Sequence, residues 1–228
     1  MIKKATEGLL HLFFPHLCSG CGNDALPKEH LLCLECLNRL PETGFEQITG
    51  NPVEKVFYGR LPVQAATAFL YFSKNALVQH LLHRLKYGGS PELGEYLGNL
   101  LGIGMKKSAR FEHAEAMVPV PLNAARLKKR GYNQAEAICK GISTAMGIPV
   151  ITDALTRRKP SETQTRKTRT QRWENMKEIF MLENPGSLYE KNILLVDDVV
   201  TTGATLEACG RELVQAGNLN IACLAYTL

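Results

Sequence analysis

The sequence predicts an α/β fold, a parallel sheet flanked by helices, preceded by a small four-cysteine module. Three observations lead there. Residues 193–205, Ile-Leu-Leu-Val-Asp-Asp-Val-Val-Thr-Thr-Gly-Ala-Thr, read as a buried strand running into a turn of small residues that opens a helix. From residue 66 onward, strand-like and helix-like segments alternate, the pattern that gives parallel strands joined by right-handed crossovers. Two Cys-x2-Cys pairs fall between residues 18 and 36. A chain of 228 residues, 45% hydrophobic, has ample material for one such domain with an appendage. The expected division is 1–45 for an N-terminal helix and cysteine module, and 46–228 for the α/β domain.

In chain order, Met1 to Phe14 carries Lys3 and Lys4, then a short apolar run broken by His11 and stopped by Pro15. No small-residue cleavage site follows, so the segment reads as a short amphipathic helix of a cytoplasmic protein. No run approaches the roughly 18 apolar residues of a membrane span, and no membrane insertion is expected. Cys18 and Cys21 are followed, after eleven residues, by Cys33 and Cys36. Four thiolates in two turns supply a closed tetrahedral site of the kind that holds structural zinc. Residues 37–60 hold Pro41, Gly44, Gly50, Pro52 and Gly59 without a period and read as a linker.

Alternation over 66–72 predicts a strand. Leu77, Leu81, Leu82 and Leu85 share a helix face over 75–86, and Gly88 and Gly89 end that helix. A second helix is expected over 91–107, with Pro91 at its first position and Leu93, Leu97, Leu100 and Leu101 inward. Ala116 to Leu122 reads as a strand whose two prolines bend its end sharply, with a non-standard peptide bond as one way to do so. A basic loop follows through Arg126, Lys128, Lys129 and Arg130 to Gly131. A helix is expected over 132–146 and a short strand from Pro149. Residues 156–177 lack an apolar face and read as a mobile loop or an exposed helix, with Trp173 and Met176 its only large apolar residues. The strand 193–196, a helix over 203–216 and a strand over 221–226 complete the chain.

Charge is concentrated. Eight Lys and Arg against two Glu give residues 156–177 a charge of +6, so a chain of net +5 is left at −1 elsewhere. Such clustering points to a polyanionic partner. At 193–205, Asp197 and Asp198 fall at the strand tip and can accept hydrogen bonds from a sugar diol. Thr201, Thr202, Gly203, Ala204 and Thr205 form a loop at a helix N-terminus, where free N–H groups and the helix dipole favour a phosphate. No lysine follows Gly203, which argues against a P-loop ATPase.

Residues 193–205 resemble the phosphoribosyl pyrophosphate (PRPP) motif of type I phosphoribosyltransferases. More narrowly, the chain resembles the ComF family of bacterial competence proteins. The likeness rests on the Cys18/Cys21/Cys33/Cys36 pattern, Leu85-Lys86-Tyr87-Gly88, Val118-Pro-Val-Pro-Leu122, Arg130-Gly-Tyr-Asn-Gln134 and the motif at 193–205, with residues 160–176 also similar. Many relatives have further cysteines where residues 41–60 have none, so a second zinc site is not expected. The resemblance implies a type I phosphoribosyltransferase-like sheet, with Asp197 and Asp198 on the ribose hydroxyls and Thr201 to Thr205 on the 5′-phosphate. It assigns the 118–131 loop, with Arg126 and Arg130, to pyrophosphate, and 157–177 to a loop that closes over the ligand. Lys86 is a candidate for the pyrophosphate side, or a surface charge after a helix. Magnesium is expected to accompany PRPP, and zinc to be structural.

Two functions stay open. One is a protein that binds PRPP or a related ribose phosphate and acts in single-stranded DNA handling during DNA uptake, Trp173 among cations reading either as a stacking platform or as part of a small hydrophobic lid. The other is an active phosphoribosyltransferase moving the phosphoribosyl group to an unidentified acceptor. No nucleophile pocket can be read from the residues, and no catalytic residue is assigned.

Overall fold

The computed structural model describes residues 16–24, 26, 30–74, 76–158 and 179–227. The N-terminal helix expected over residues 1–14, and Trp173 and most of the basic segment, lie outside the described residues.

Four strands form a parallel sheet: β1 (Val63–Phe72), β2 (Ala116–Pro119), β5 (Asn192–Val200) and β6 (Asn218–Thr227), in the order β1-β6-β5-β2. The helices around them are α1 (Leu34–Asn38), α2 (Pro52–Phe57), α3 (Leu77–Tyr87), α4 (Pro91–Lys106), α5 (Ala124–Arg130), α6 (Gln134–Met146) and α7 (Ala204–Leu213). This bears out the parallel sheet flanked by helices. Alternation along the strands sorts side chains onto two faces. Met117, Leu194, Val196, Ala222 and Leu224 pack with α3, α4 and α6. Ala116, Val118, Ile193, Leu195, Ile221 and Cys223 pack with α2 and α7.

The α4–α6 pair is unusually close. Gly94, Gly98 and Gly102 recur every fourth residue on α4, and a methyl group built on Gly98 would lie 2.3 Å from the Ile138 carbonyl oxygen. On the facing helix, one built on Gly141 would lie 1.9 Å from the Glu95 carbonyl oxygen. The two backbones therefore touch, an arrangement that only small residues allow.

Several expectations need correction. The segment 37–60 is not a linker but a packed part of the domain. Phe45, Val53 and Phe57 are buried, and Asn51 is 1% exposed. The Asn51 amide donates to the carbonyls of Phe45, Ile48 and Ala66 at 3.2, 2.9 and 2.8 Å, while its oxygen caps α2 through the N–H groups of Val53 and Glu54. Arg110 pairs with Glu54 and donates to Phe45 and Ile48. A polar network with partners far apart in sequence leaves no periodic trace. The bend after β2 is made without a cis bond: every described peptide bond is trans. Val150 makes only an isolated bridge to Met117 rather than a strand. The start of the basic segment is ordered, because β3 (Leu155–Arg158) pairs antiparallel with β4 (Ile179–Leu182) as a separate two-stranded sheet.

The ladder also sets where a ligand can enter. β5 runs on through both acids to Val200, paired with β6 up to Val200↔Tyr226. On its other side the pairing with β2 stops at Val196↔Pro119. The chain after β2 turns to α5 and α6 on one face, whereas the chain after β5 turns to α7 on the other. Adjacent parallel strands whose connections leave in opposite directions open a crevice at their carboxyl ends. Asp197 and Asp198 stand at that opening.

Candidate functional site

The acidic pair lies inside strand β5, two to three residues before its end, not at the strand tip expected from sequence. The extra residues belong to the strand because β6 continues alongside them after β2 has left. Asp197 shares a concavity of about 70 Å³ with Val199 and residues 201–206. Burial pushes the Asp197 carboxyl up to about 7, and the charge of Asp198 adds to the rise. The Asp198 N–H, 2.8 Å from Asp197 Oδ1, opposes the shift, as do the charges of Lys86 and Arg157.

The loop 201–205 reaches α7 through Gly203, which sits at φ 72° in the left-handed region. A methyl group on Gly203 would come within 2.6 Å of Val56 and 2.9 Å of Phe57. Glycine is thus required twice at this position, by the turn and by the approach of α2. No side chain caps α7, so its first-turn N–H groups stay available to an anion in the concavity. Arg60 braces the loop from outside: it donates to Thr202 O at 2.9 Å and pairs with Glu207, which also accepts from Arg211. Nothing in the local sequence around Arg60 singles it out for this task.

The candidates for the pyrophosphate side meet the acids to different degrees. Lys86 Nζ lies 3.0 Å from Asp198 Oδ2. Arg126 is an exposed residue of α5, a short helix that buries none of its side chains. Arg130 ends α5 with its guanidinium 5.2 Å from the centre of the Tyr87 ring, and it donates to Gln134 at 2.6 Å. The Tyr132 hydroxyl donates to the Leu85 carbonyl. The Asn133 amide holds Val120 O at 3.0 Å while its oxygen caps α6. Two segments singled out in the sequence, 85–88 and 130–134, are therefore bonded to each other beside the acids. In the sequence Arg157 is one member of a basic run with nothing to single it out. It stands on β3 over the Phe180 ring at 5.2 Å, and its charge is felt by Asp197 and Arg126.

The four cysteines converge as the spacing predicts. The sulfurs of Cys18, Cys21, Cys33 and Cys36 all lie within 4.8 Å of one another, and Cys21 and Cys33 are 3.7 Å apart. A tetrahedral ion with metal–sulfur bonds of about 2.3 Å has sulfur–sulfur edges of about 3.8 Å, so the residues fit a metal of that kind. Burial pushes the Cys18 thiol up, but N–H groups of Cys33, Cys21 and Gly20 outweigh it and bring it down to about 6. A thiol so disposed is ready to ligate as thiolate. Cys18 and Cys36 belong to the same buried cluster as Val78, Leu81 and Leu85 of α3.

The chain is 28% identical over 222 residues to Competence protein F of Haemophilus influenzae, covering 92% of this chain and 90% of that protein. It is 29% identical over 202 residues to Competence protein ComFC of Bacillus subtilis, covering 89% and 73%. The chain is a homologue of the ComF competence proteins. It is also 28% identical over 217 residues to the DNA utilization protein YhgH of Escherichia coli K12, covering 93% of this chain and 85% of that one. No protein-family model matches the chain. Similar solved structures include a glutamine PRPP amidotransferase from Bacillus subtilis, at a TM-score of 0.42 and 17% identity over 62% of this chain and 30% of that one. A purine phosphoribosyltransferase from Pyrococcus horikoshii gives 0.33 and 19% over 69% and 77%. The fold itself is a parallel sheet flanked by helices, with the motif-bearing strand β5 among its inner strands and the four-cysteine cluster near the N-terminus. No described helix is long and apolar enough to cross a membrane.

Proposed function

We propose that the protein binds PRPP or a related ribose phosphate in the crevice at the carboxyl end of β5, and serves in the cytoplasm in handling single-stranded DNA during DNA uptake. One observation supports the ligand: the Asp197 carboxylate and the uncapped N-terminus of α7 border the same small concavity, with Asp198 the next residue along β5. Asp197 and Asp198 accept the ribose hydroxyls, and Thr201, Thr202, Gly203, Ala204 and Thr205 take the 5′-phosphate through N–H and hydroxyl donors. Lys86, Arg126 and Arg130 serve the end of the ligand that bears the diphosphate, together with Arg157. A magnesium ion carried by the diphosphate suits the carboxylates. The four cysteines hold zinc, which folds the N-terminal module around Cys18 to Cys36 and takes no part in the chemistry. The competence and DNA-utilization names of the relatives supply the DNA part, supported here by the clustered positive charge.

Transfer of the phosphoribosyl group to an acceptor is the second reading. It is favoured by the cations facing the acids, Lys86 and Arg157, which can stabilise charge on a departing diphosphate.

Calorimetric titration with PRPP and magnesium tests the proposal directly. Saturable binding is expected, lost in the Asp197→Asn, Asp198→Asn double variant. Retention of binding by that variant refutes the ribose assignment. Release of pyrophosphate on adding a candidate acceptor decides between binding alone and transfer. Binding of a short single-stranded oligonucleotide that weakens steeply with salt is expected for the DNA role.

A further inference from the structure

Resting on the ribose phosphate reading, we infer that Lys86 is the residue that makes the site select a ribose bearing an anionic group at C1 over plain ribose 5-phosphate. In the unliganded chain its ammonium lies 3.0 Å from Asp198 Oδ2, with side-chain exposures of 27% and 15%. The carboxylate meant for the diol is thus already engaged, and the pair is shielded enough for its charges to matter.

The lysine is placed rather than merely present. It sits in the last turn of α3, between two residues tied to the 130–134 segment. Leu85 O accepts from the Tyr132 hydroxyl, and the Tyr87 ring lies under the Arg130 guanidinium. Its backbone is therefore held from both sides. An ammonium has three donors and a flexible stem, so Lys86 can keep Asp198 and reach an oxyanion at the same time, or pass from one to the other.

The consequence depends on the ligand. Ribose 5-phosphate offers two hydroxyls to the acids and only an uncharged C1 hydroxyl to Lys86, so it competes with the ammonium for Asp198. A ribose with a diphosphate at C1 recruits that ammonium instead and leaves Asp198 to the hydroxyls. Without the lysine, two carboxylates face a polyanion with one counter-charge fewer. Lys86 therefore raises affinity for the diphosphorylated ligand and lowers it, if anything, for the monophosphate.

The test is titration of the full chain with PRPP and, separately, ribose 5-phosphate, comparing the unchanged protein with Lys86→Met and Lys86→Arg. The unchanged protein is expected to prefer PRPP. Lys86→Met should lose about tenfold or more for PRPP, the size of one charge-assisted contact, with ribose 5-phosphate unchanged or tighter. Lys86→Arg should restore most of the preference. Equal weakening of both ligands in Lys86→Met, or no weakening of either, overturns the inference and leaves the ribose phosphate site standing. Failure of the unchanged protein to bind either sugar phosphate overturns that reading and this one together.

Discussion

Adding a single methyl group at Gly141 is expected to damage the fold more than the helix propensity of alanine repairs it. In an exposed helix the change from glycine to alanine gains about 1 kcal/mol. Here the new carbon would lie 1.9 Å from the Glu95 carbonyl oxygen and 2.6 Å from the Asn99 nitrogen. A carbon–oxygen contact needs about 3.3 Å, so α4 and α6 must part by roughly 1.4 Å. Both obstructing atoms are main chain and cannot turn aside as a side chain would. Separation also loosens Leu93, Leu97 and Leu101 from Ile138 and Ile142, all buried in one cluster. Overpacking usually costs about 1–3 kcal/mol, occasionally more, and backbone obstruction with lost contacts puts this site at or above the top of that range. The net expectation is a loss of about 2–4 kcal/mol, or roughly 5–15 °C in Tm for a chain of this size. Gly104→Ala on α4 is the control, because its nearest neighbour is the movable carboxylate of Glu46 at 3.3 Å. It should stay within about 1 kcal/mol of the unchanged protein. Urea and thermal unfolding of the two variants decide the matter. A neutral or stabilised Gly141→Ala, or equal damage from Gly104→Ala, would refute the backbone-contact argument.

Two further predictions concern the acids and the cysteines. Asp197 titrates near 7 in the folded chain against an ordinary 3.8, so between about pH 4 and 7 the folded state holds a proton that the unfolded state has lost. This group's contribution to stability therefore falls as pH rises through that window and is flat above it. Asp197→Asn should be more stable than the unchanged protein at pH 8, by about 2–4 kcal/mol, with the difference fading towards pH 4. Urea midpoints that move in parallel across the range would show the carboxylate to be unstrained. Purified protein should carry one zinc per chain, and its removal by a chelator should lower Tm and expose residues 16–40 to protease. A metal-free chain with unchanged Tm and protease resistance would mean that the cysteines pack on their own.

What could be read in the sequence was short-range. The cysteine pairs, the acids and the 201–205 loop are each contained within a few residues, and alternation in β1 and continuous apolar runs in β5 and β6 mark those strands without help from the rest of the chain. What escaped depends on distant partners. The segment 37–60 is ordered through Asn51 and the Arg110–Glu54 pair, whose members are scattered over some sixty residues. Arg157 joins the site only because β4, twenty residues on, pairs with β3. The strand β5 continues past its apolar run because β6 goes with it. The leucine periodicity of α4 predicts a helix but not its partner; the four-residue spacing of Gly94, Gly98 and Gly102 is the local trace of the close approach to α6.

Helix α3 ties together two places that function would otherwise keep apart. At its start, Leu77 packs against Gly20 of the cysteine module, where an added methyl group would meet both Leu77 and the Cys36 sulfur at 2.8 Å. At its end, Lys86 reaches Asp198. Eleven residues of helix make a strut about 16 Å long, stiff along its axis. Oxidation of the thiols would remove the footing of that strut while its far end stayed fastened to Tyr132. The state of the cysteines is thereby coupled mechanically to the position of the Lys86 charge beside Asp198.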